Sequence, residues 1–260
     1  MNDTATVKKK LKGICPIFWI NLDTEVDRKE YMEDLLNQFE IPNTRISGVD
    51  ARGDNDVSDL LSGRFPDMVT PGELGCTLSH LKAIKHFYYE TDLEYAIIAE
   101  DDLSFDTVEY WPFTWKGFMS KVPYDWDILH LAITSTKNLR VNLHPRLIND
   151  FCTVLYVINR KYAEKLLKLH CRGDKYKVDQ KIKPRAVADE LVYNAGVTYS
   201  MPLFTYRYDF ESGIHQDHVE LFHKQNVEGI MGFWRQYQCR DPYELIDYEY
   251  YSFYQPLIGE

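Results

Sequence analysis

The segment Tyr95-Ala96-Ile97-Ile98-Ala99-Glu100-Asp101-Asp102 sets a short apolar run directly against three consecutive acids. Apolar side chains at successive positions mark a strand buried on both faces, the habit of parallel sheets covered by helices. The acids then lie at the carboxyl end of that strand, where open α/β sheets bind their ligands.

The flanking sequence supports the same architecture. Upstream, residues 14 to 22 form a second buried run, followed by a helical pattern of Met32, Leu35, Leu36 and Phe39 that Pro42 stops. Thr24 and Asp27 offer the capping oxygens for that helix. Arg45 to Val49 reads as a short strand ending at Asp50, which completes a strand, helix, strand unit. Residues 51 to 69 are rich in Asp, Gly, Ser and Asn and read as a loop. Order resumes at Thr70-Pro71-Gly72-Glu73, where a capping threonine, an N-terminal proline and a glutamate three residues after the cap form a helix start. Leu74, Leu78, Leu81, Ile84 and Tyr88 supply its buried stripe to about Glu90.

Downstream, Ile128 to Ile133 and Thr153 to Ile158 read as strands, and Lys161 to Leu169 as a helix with Tyr162, Leu166 and Leu169 on one side. The lysine-rich stretch from Arg172 to Arg185 reads as a mobile, solvated connection, or alternatively as a surface for a phosphorylated or acidic acceptor. The alternation predicts an α/β fold: a Rossmann-type, mostly parallel sheet covered by helices, in one domain with an irregular C-terminal region. The expected boundaries are an N-terminal extension over 1–13, the domain over 14–240 and an aromatic, acidic tail over 241–260.

Composition narrows the partners. Of 260 residues, 30 are Lys or Arg and 40 are Asp or Glu, a formal net charge of −10. That balance argues against general affinity for nucleic acid or anionic lipid, both of which require a positive contact surface. The five cysteines are widely spaced with no Cys-x-x-Cys, which points away from a disulfide framework or zinc knuckle and towards a reducing compartment. No apolar run approaches the roughly 20 residues that span a bilayer. The expectation is a cytoplasmic protein with no transmembrane segment. The 19 tyrosines suit sugar or partner contact, and Tyr243, Tyr248, Tyr250, Tyr251 and Tyr254 of the tail offer an oligomer contact or terminal packing.

Three adjacent acids at a strand end need a counterion. On an extended backbone Glu100 and Asp102 project to one side and Asp101 to the other, so the first and third are positioned to hold one cation. Oxygen ligands suit Mn²⁺ or Mg²⁺. A cation there neutralises charge growing on a departing diphosphate. The competing reading is an acidic loop that caps the next segment.

Four motifs in order then resemble glycosyltransferase family 25: Ile20-Asn21-Leu22-Asp23 with Asp27-Arg28; Gly48-Val49-Asp50; Gly75-Cys76-x-x-Ser79-His80; and Ile97-Ile98-Ala99-Glu100-Asp101-Asp102. The family includes bacterial lipooligosaccharide and collagen galactosyltransferases. The resemblance covers residues 15 to 135 and implies a GT-A fold, a UDP-hexose donor, Mn²⁺ as cofactor and inverting transfer. It makes the acid triplet a variant of the family's metal motif, with Glu100 and Asp102 as ligands and Asp101 serving the donor.

On that resemblance Asn21, Leu22, Val49, Asp50, Ser79 and His80 face the donor nucleotide; alternatively, Ser79 and His80 are a buried polar pair that bonds backbone. Arg28 supports this loop, pairs with a phosphate, or is a helix charge paired with Asp23 or Glu25. Asp50 meets the ribose or base, or is a turn residue before Gly53. Asp189 and Glu190 are the candidates for the base that takes the proton of the attacking hydroxyl; alternatively, Asp189 caps a helix beginning at Glu190. A late histidine, His215 ahead of His218, completes the cation site or belongs to a helix surface. The acceptor expected is a glycan, lipid-linked sugar or hydroxylysine-type hydroxyl, and galactose or glucose is the sugar transferred. Two rivals stand beside this reading: a metal-dependent phosphate-ester hydrolase, and a catalytically inactive homologue that binds carbohydrate or acts as a scaffold.

Overall fold

The buried apolar runs form strands. The computed structural model describes residues 3–135, 139–180, 184–210, 223–237 and 244–246. The first half of the chain runs α1 (Thr4–Leu11), β1 (Ile17–Asn21), α2 (Val26–Gln38), β2 (Asn43–Ser47), α3 (Pro71–Glu90), β3 (Tyr95–Glu100), β4 (Leu103–Ser104), α4 (Trp115–Met119) and β5 (Ile128–His130). It continues as β6 (His144–Pro145), β7 (Leu155–Asn159), α5 (Arg160–His170), β8 (Cys171–Arg172), β9 (Lys175–Tyr176), α6 (Ala188–Leu191), β10 (Thr198–Ser200), β11 (Thr205–Tyr206) and α7 (Lys224–Tyr237).

Seven strands pair in the order β2-β1-β3-β7-β5-β10-β6. The strands β2, β1 and β3 are mutually parallel, as are β5 and β10, while β7 lies antiparallel between the two groups and β6 antiparallel at the edge. Five strands therefore share one direction, which makes the sheet mostly parallel, as expected. The strand at residues 155–159 is the departure: it runs against its neighbours.

Alternation across the pleat explains the uninterrupted apolar strands. Ile17, Trp19, Ile97, Ala99, Leu155 and Val157 pack on one face with Val7 and Leu11 of α1, Met32 and Leu36 of α2, Trp115 and Phe118 of α4 and Trp234 of α7. Phe18, Ile20, Ala96, Ile98, Tyr156 and Ile158 pack on the other with the buried stripes of α3 and α5. Residues expected as an N-terminal extension thus include a helix that contributes to the core.

Several local expectations shift. The start of α3 carries the expected reciprocal capping, with Glu73 N–H donating to Thr70 Oγ1 and Thr70 N–H to Glu73 Oε2. Phe87, not Tyr88, completes its buried stripe. In α2 neither Thr24 nor Asp27 caps; Glu25 holds the cap position without a side-chain bond. Leu169 on α5 is 45% exposed, because the buried face falls on Tyr162, Ala163, Leu166 and Leu167. The stretch from Arg172 opens with a hairpin, β8 on β9, turned by Gly173 at φ +65°. Cys15, Cys76, Cys152 and Cys171 are free thiols. Among the described residues no helix is long and apolar enough to cross a membrane. The tail tyrosines expected to form a contact lie outside the described residues.

Candidate functional site

The carboxyl ends of β1, β2 and β3 open into a cavity of about 570 Å³. Asn21, Leu22, Arg28, Val49, Asp50, Ser79, His80, Glu100, Asp101, Asp102 and Asp189 all line it, drawn from segments more than 160 residues apart in sequence. Glu190 does not reach it, and His215 and His218 lie outside the described residues.

Glu100 ends β3 and is held from two elements. Its Oε1 lies 3.1 Å from His80 Nε2 on α3 and accepts from the Thr153 hydroxyl at 2.5 Å. His80 is buried, with Nδ1 3.1 Å from the Tyr156 hydroxyl on β7. A consistent proton arrangement has Tyr156 donating to Nδ1 and Nε2–H donating to the Glu100 carboxylate. Burial pushes the Glu100 carboxyl up, but the hydrogen bonds from His80 and Thr153, with Arg28 nearby, hold it below its ordinary value.

The chain turns after Glu100, so the next two acids diverge. Asp101 Oδ2 accepts from Asn21 Nδ2 at 2.7 Å, and Oδ1 accepts from Arg28 Nε at 2.8 Å. Asp102 meets Arg28 Nη2 only at 3.4 Å through Oδ2, and its Oδ1 is buried with no hydrogen-bond partner among the described residues. Burial and the charge of Glu100 raise the Asp102 carboxyl well above its usual range, against the pull of Arg28.

Arg28 therefore pairs with Asp101, 73 residues away, rather than with Asp23 or Glu25. Asp23 is taken by Arg45 at 2.6 Å and Ser47 at 2.9 Å. Asn21 joins these elements: its Nδ2 donates to Asp101 and to Glu25 O, and its Oδ1 accepts from Arg45 Nε at 2.8 Å.

Ser79 is a bridge between α3 and the loop after β2. Its hydroxyl accepts from Val49 N–H at 2.8 Å and donates to Gly75 O at 2.7 Å. Gly75 permits that approach, since a Cβ there would stand 2.5 Å from Val49 O. Asp50 engages Arg52 through both carboxylate oxygens, at 2.8 and 2.9 Å, and also accepts from Arg52 N–H at 3.0 Å.

The paired acids on α6 separate. Asp189 Oδ1 accepts from Cys152 N–H at 2.7 Å, and burial pushes its carboxyl up to about 6, opposed by that hydrogen bond. Glu190 binds Arg185 through Nε at 2.6 Å and through the backbone N–H at 2.8 Å. The helix starts at Ala188 with Val187 as its cap residue and no side-chain cap bond, so Asp189 does not cap it.

Sequence reasoning missed the groups that complete the cavity. Arg207, after β11, donates its backbone N–H to Asp102 O at 2.7 Å. His223, next to α7, lies 3.0 Å from the Tyr206 hydroxyl. Cys76 stood in a recognised motif with no role attached to it; its thiol lies with His80 and Glu100 in a cluster whose potential metal-ligand atoms are all within 4.8 Å of one another. Thr153 was marked only as the first residue of a strand, and Cys152 carried no signal beyond preceding it.

Two oxygen-bearing groups, the buried unpartnered Oδ1 of Asp102 and the carboxylate of Glu100, fit a hard divalent cation such as Mn²⁺ or Mg²⁺.

A mostly parallel, helix-covered sheet with an acid triplet at the mouth of its β1–β3 edge defines a GT-A-like α/β domain. Residues 14–182 match glycosyltransferase family 25 (LPS biosynthesis protein), and the chain belongs to that family. Among similar proteins, procollagen galactosyltransferase 1 of Danio rerio is 29% identical over 182 residues, covering 60% of this chain and 29% of that protein. Procollagen galactosyltransferase 2 of Homo sapiens is 26% identical over 189 residues, covering 65% of this chain and 30% of that protein. The chain thus spans less than a third of the length of these relatives.

Proposed function

We propose that this chain transfers a hexose, galactose first among them, from a UDP-sugar to an acceptor hydroxyl with inversion at the anomeric carbon. The observation that carries the proposal is Asp102 Oδ1, buried and unpartnered beside a second carboxylate at the end of β3. The bare oxygen of Asp102, with the charge of Glu100 acting on the same carboxyl, supports a cation here. Family membership supports glycosyl transfer, and the names of the relatives support galactose.

Glu100 and Asp102 would hold Mn²⁺ or Mg²⁺, which when bound supplies Lewis-acid stabilisation of the leaving diphosphate. The chain's own residues do the rest. Asn21, Leu22, Val49 and Asp50 form the wall that receives the nucleotide, and Ser79 fixes that wall to α3. Engaging a ribose with Asp50 exchanges part of its contact with Arg52. Arg28 neutralises Asp101 and holds the turn that presents Asp102. His80 orients Glu100 from Tyr156.

Asp189 takes the proton of the attacking hydroxyl; Glu190 is committed to Arg185. A carboxyl raised to about 6 is a stronger base than an ordinary one and still ionised at neutral pH. The acceptor is a hydroxyl of a glycan or of a hydroxylysine-type side chain: the family description concerns LPS biosynthesis and the relatives' names concern procollagen.

The test is a panel of UDP-sugars screened for Mn²⁺-dependent thermal stabilisation, because a ligand that binds only the native state raises Tm. UDP-galactose is expected to stabilise with Mn²⁺ and not without it. Equal stabilisation with and without the cation contradicts the proposal.

A further inference from the structure

Two non-glycine residues among those described have left-handed backbones, Glu40 at φ +57° and Cys152 at φ +102°. Glu40 follows the last turn of α2, where its N–H reaches Asn37 O, an ordinary way to end a helix. Cys152 ends no helix. It sits in the cavity wall just before β7, in a conformation that an L side chain adopts only when its surroundings enforce it.

Those surroundings are specific. The residue before it, Phe151, exchanges both backbone hydrogen bonds with Thr134, at 3.0 and 2.9 Å. The residue after it, Thr153, donates its hydroxyl to Glu100. The Cys152 carbonyl accepts from the Tyr193 hydroxyl at 2.8 Å, and its Sγ accepts from Val154 N–H at 3.5 Å. Tyr193 is itself fixed, stacked on His130 at 4.5 Å and covered by the Arg146 guanidinium at 4.8 Å. The remaining polar group of Cys152, its backbone N–H, points at Asp189 Oδ1. Burial pushes the thiol well above its ordinary range, so the side chain stays protonated and offers packing rather than a nucleophile.

We infer that Cys152 is a positioning residue for Asp189: its left-handed backbone, tied down by Tyr193, aims one amide at Oδ1 and thereby fixes how the second oxygen faces the cavity. The inference rests on the proposed transferase reading, in which Asp189 is the base. Asp189 lines the cavity and takes the Cys152 amide on Oδ1, so that hydrogen bond sets the carboxylate's direction. Cys152 also stands one residue from the hydroxyl that binds Glu100, so the same short segment sets the base relative to the acid triplet.

The backbone geometry separates the variants. Cys152→Gly keeps the N–H and adopts a positive φ without strain. Cys152→Val is β-branched and disfavours that φ, so the peptide turns and the N–H leaves Asp189. Tyr193→Phe keeps the packed ring and removes only the hydroxyl that holds the Cys152 carbonyl. The assay is UDP release from UDP-galactose with Mn²⁺, with water as the hydroxyl that takes the galactosyl group and gives its proton to Asp189, on the full chain, with kcat and donor KM measured across pH. Cys152→Gly is expected to keep kcat within about twofold, while Cys152→Val and Tyr193→Phe lower it roughly tenfold or more with donor KM nearly unchanged. Both latter variants are also expected to move the acid limb of the pH profile upward, because the lost hydrogen bond favoured the charged carboxylate.

Folded Tyr193→Phe with wild-type kcat and an unmoved acid limb overturns the positioning role, whether or not Cys152→Val folds. A wild-type chain that releases no UDP from any UDP-sugar, whether water, glycans or a hydroxylysine-containing peptide is offered as acceptor, overturns the transferase reading itself, a distinct result.

Discussion

Arg28 grips Asp101 through Nε at 2.8 Å, yet its Nη2 comes no closer than 3.4 Å to Asp102. One guanidinium thus satisfies the middle acid of the triplet and leaves the third incompletely neutralised. Arg28 and Asp101 are both nearly buried, with side-chain exposures of 16% and 10%. Arg28→Ala strands a buried carboxylate and is expected to cost about 3 kcal/mol of stability, read as a lower urea midpoint at unchanged m. Asp101→Asn, which keeps hydrogen-bonding capacity, is expected to cost less.

Asp102 carries the opposite expectation in the cation-free protein. Its carboxyl is buried, repelled by Glu100 and bare at Oδ1. Asp102→Asn removes the charge without changing shape, and the cation-free variant is expected to match or exceed wild-type stability by about 1 kcal/mol. Thermal melts in chelator test this; a loss of several degrees contradicts it.

His80→Ala breaks both contacts of a buried imidazole at once, leaving the Glu100 carboxylate and the Tyr156 hydroxyl each short of a partner. The expected cost is about 2–4 kcal/mol, read by chemical denaturation. Glu100 also loses a group that keeps it ionised, so weaker Mn²⁺ binding should accompany the loss of stability.

Asp189 sets a pH dependence with two signs. As a base it must be ionised, so kcat is expected to rise with pH about a midpoint near 6, and Asp189→Asn to lower kcat roughly 10²-fold or more. Stability runs the other way. The folded carboxyl holds its proton above the ordinary value of 3.8, so this contribution is complete below 3.8 and lost as pH rises through about 6. Asp189→Asn should therefore gain stability relative to wild type at pH 8 compared with pH 4.

What was legible in the sequence was local chemistry. The apolar run into Glu100, the capping box at Thr70 and the stripe of α3 each follow from neighbours a few residues apart, and each formed. The direction of β7 was not legible, because a buried strand has the same apolar pattern whichever way it runs. Arg28 stayed open between a donor-loop role and a helix-surface charge because its partner, Asp101, is distant in sequence. Asp189 and Glu190 were legible only as a pair. What divides them is Arg185 on one side and the amide of Cys152, 37 residues earlier, on the other. The left-handed backbone of Cys152 has no sequence signature, since glycine would have marked it and cysteine does not.

The central claim is that a donor diphosphate and a divalent cation meet at Glu100 and Asp102. Isothermal titration of UDP into the wild type and Asp102→Asn, each with Mn²⁺ and with chelator, tests it most directly. The account predicts UDP binding by the wild type that requires Mn²⁺, weakened at least tenfold in Asp102→Asn, a loss of about 1.4 kcal/mol or more. UDP binding of equal strength in chelator, or undiminished in Asp102→Asn, contradicts it.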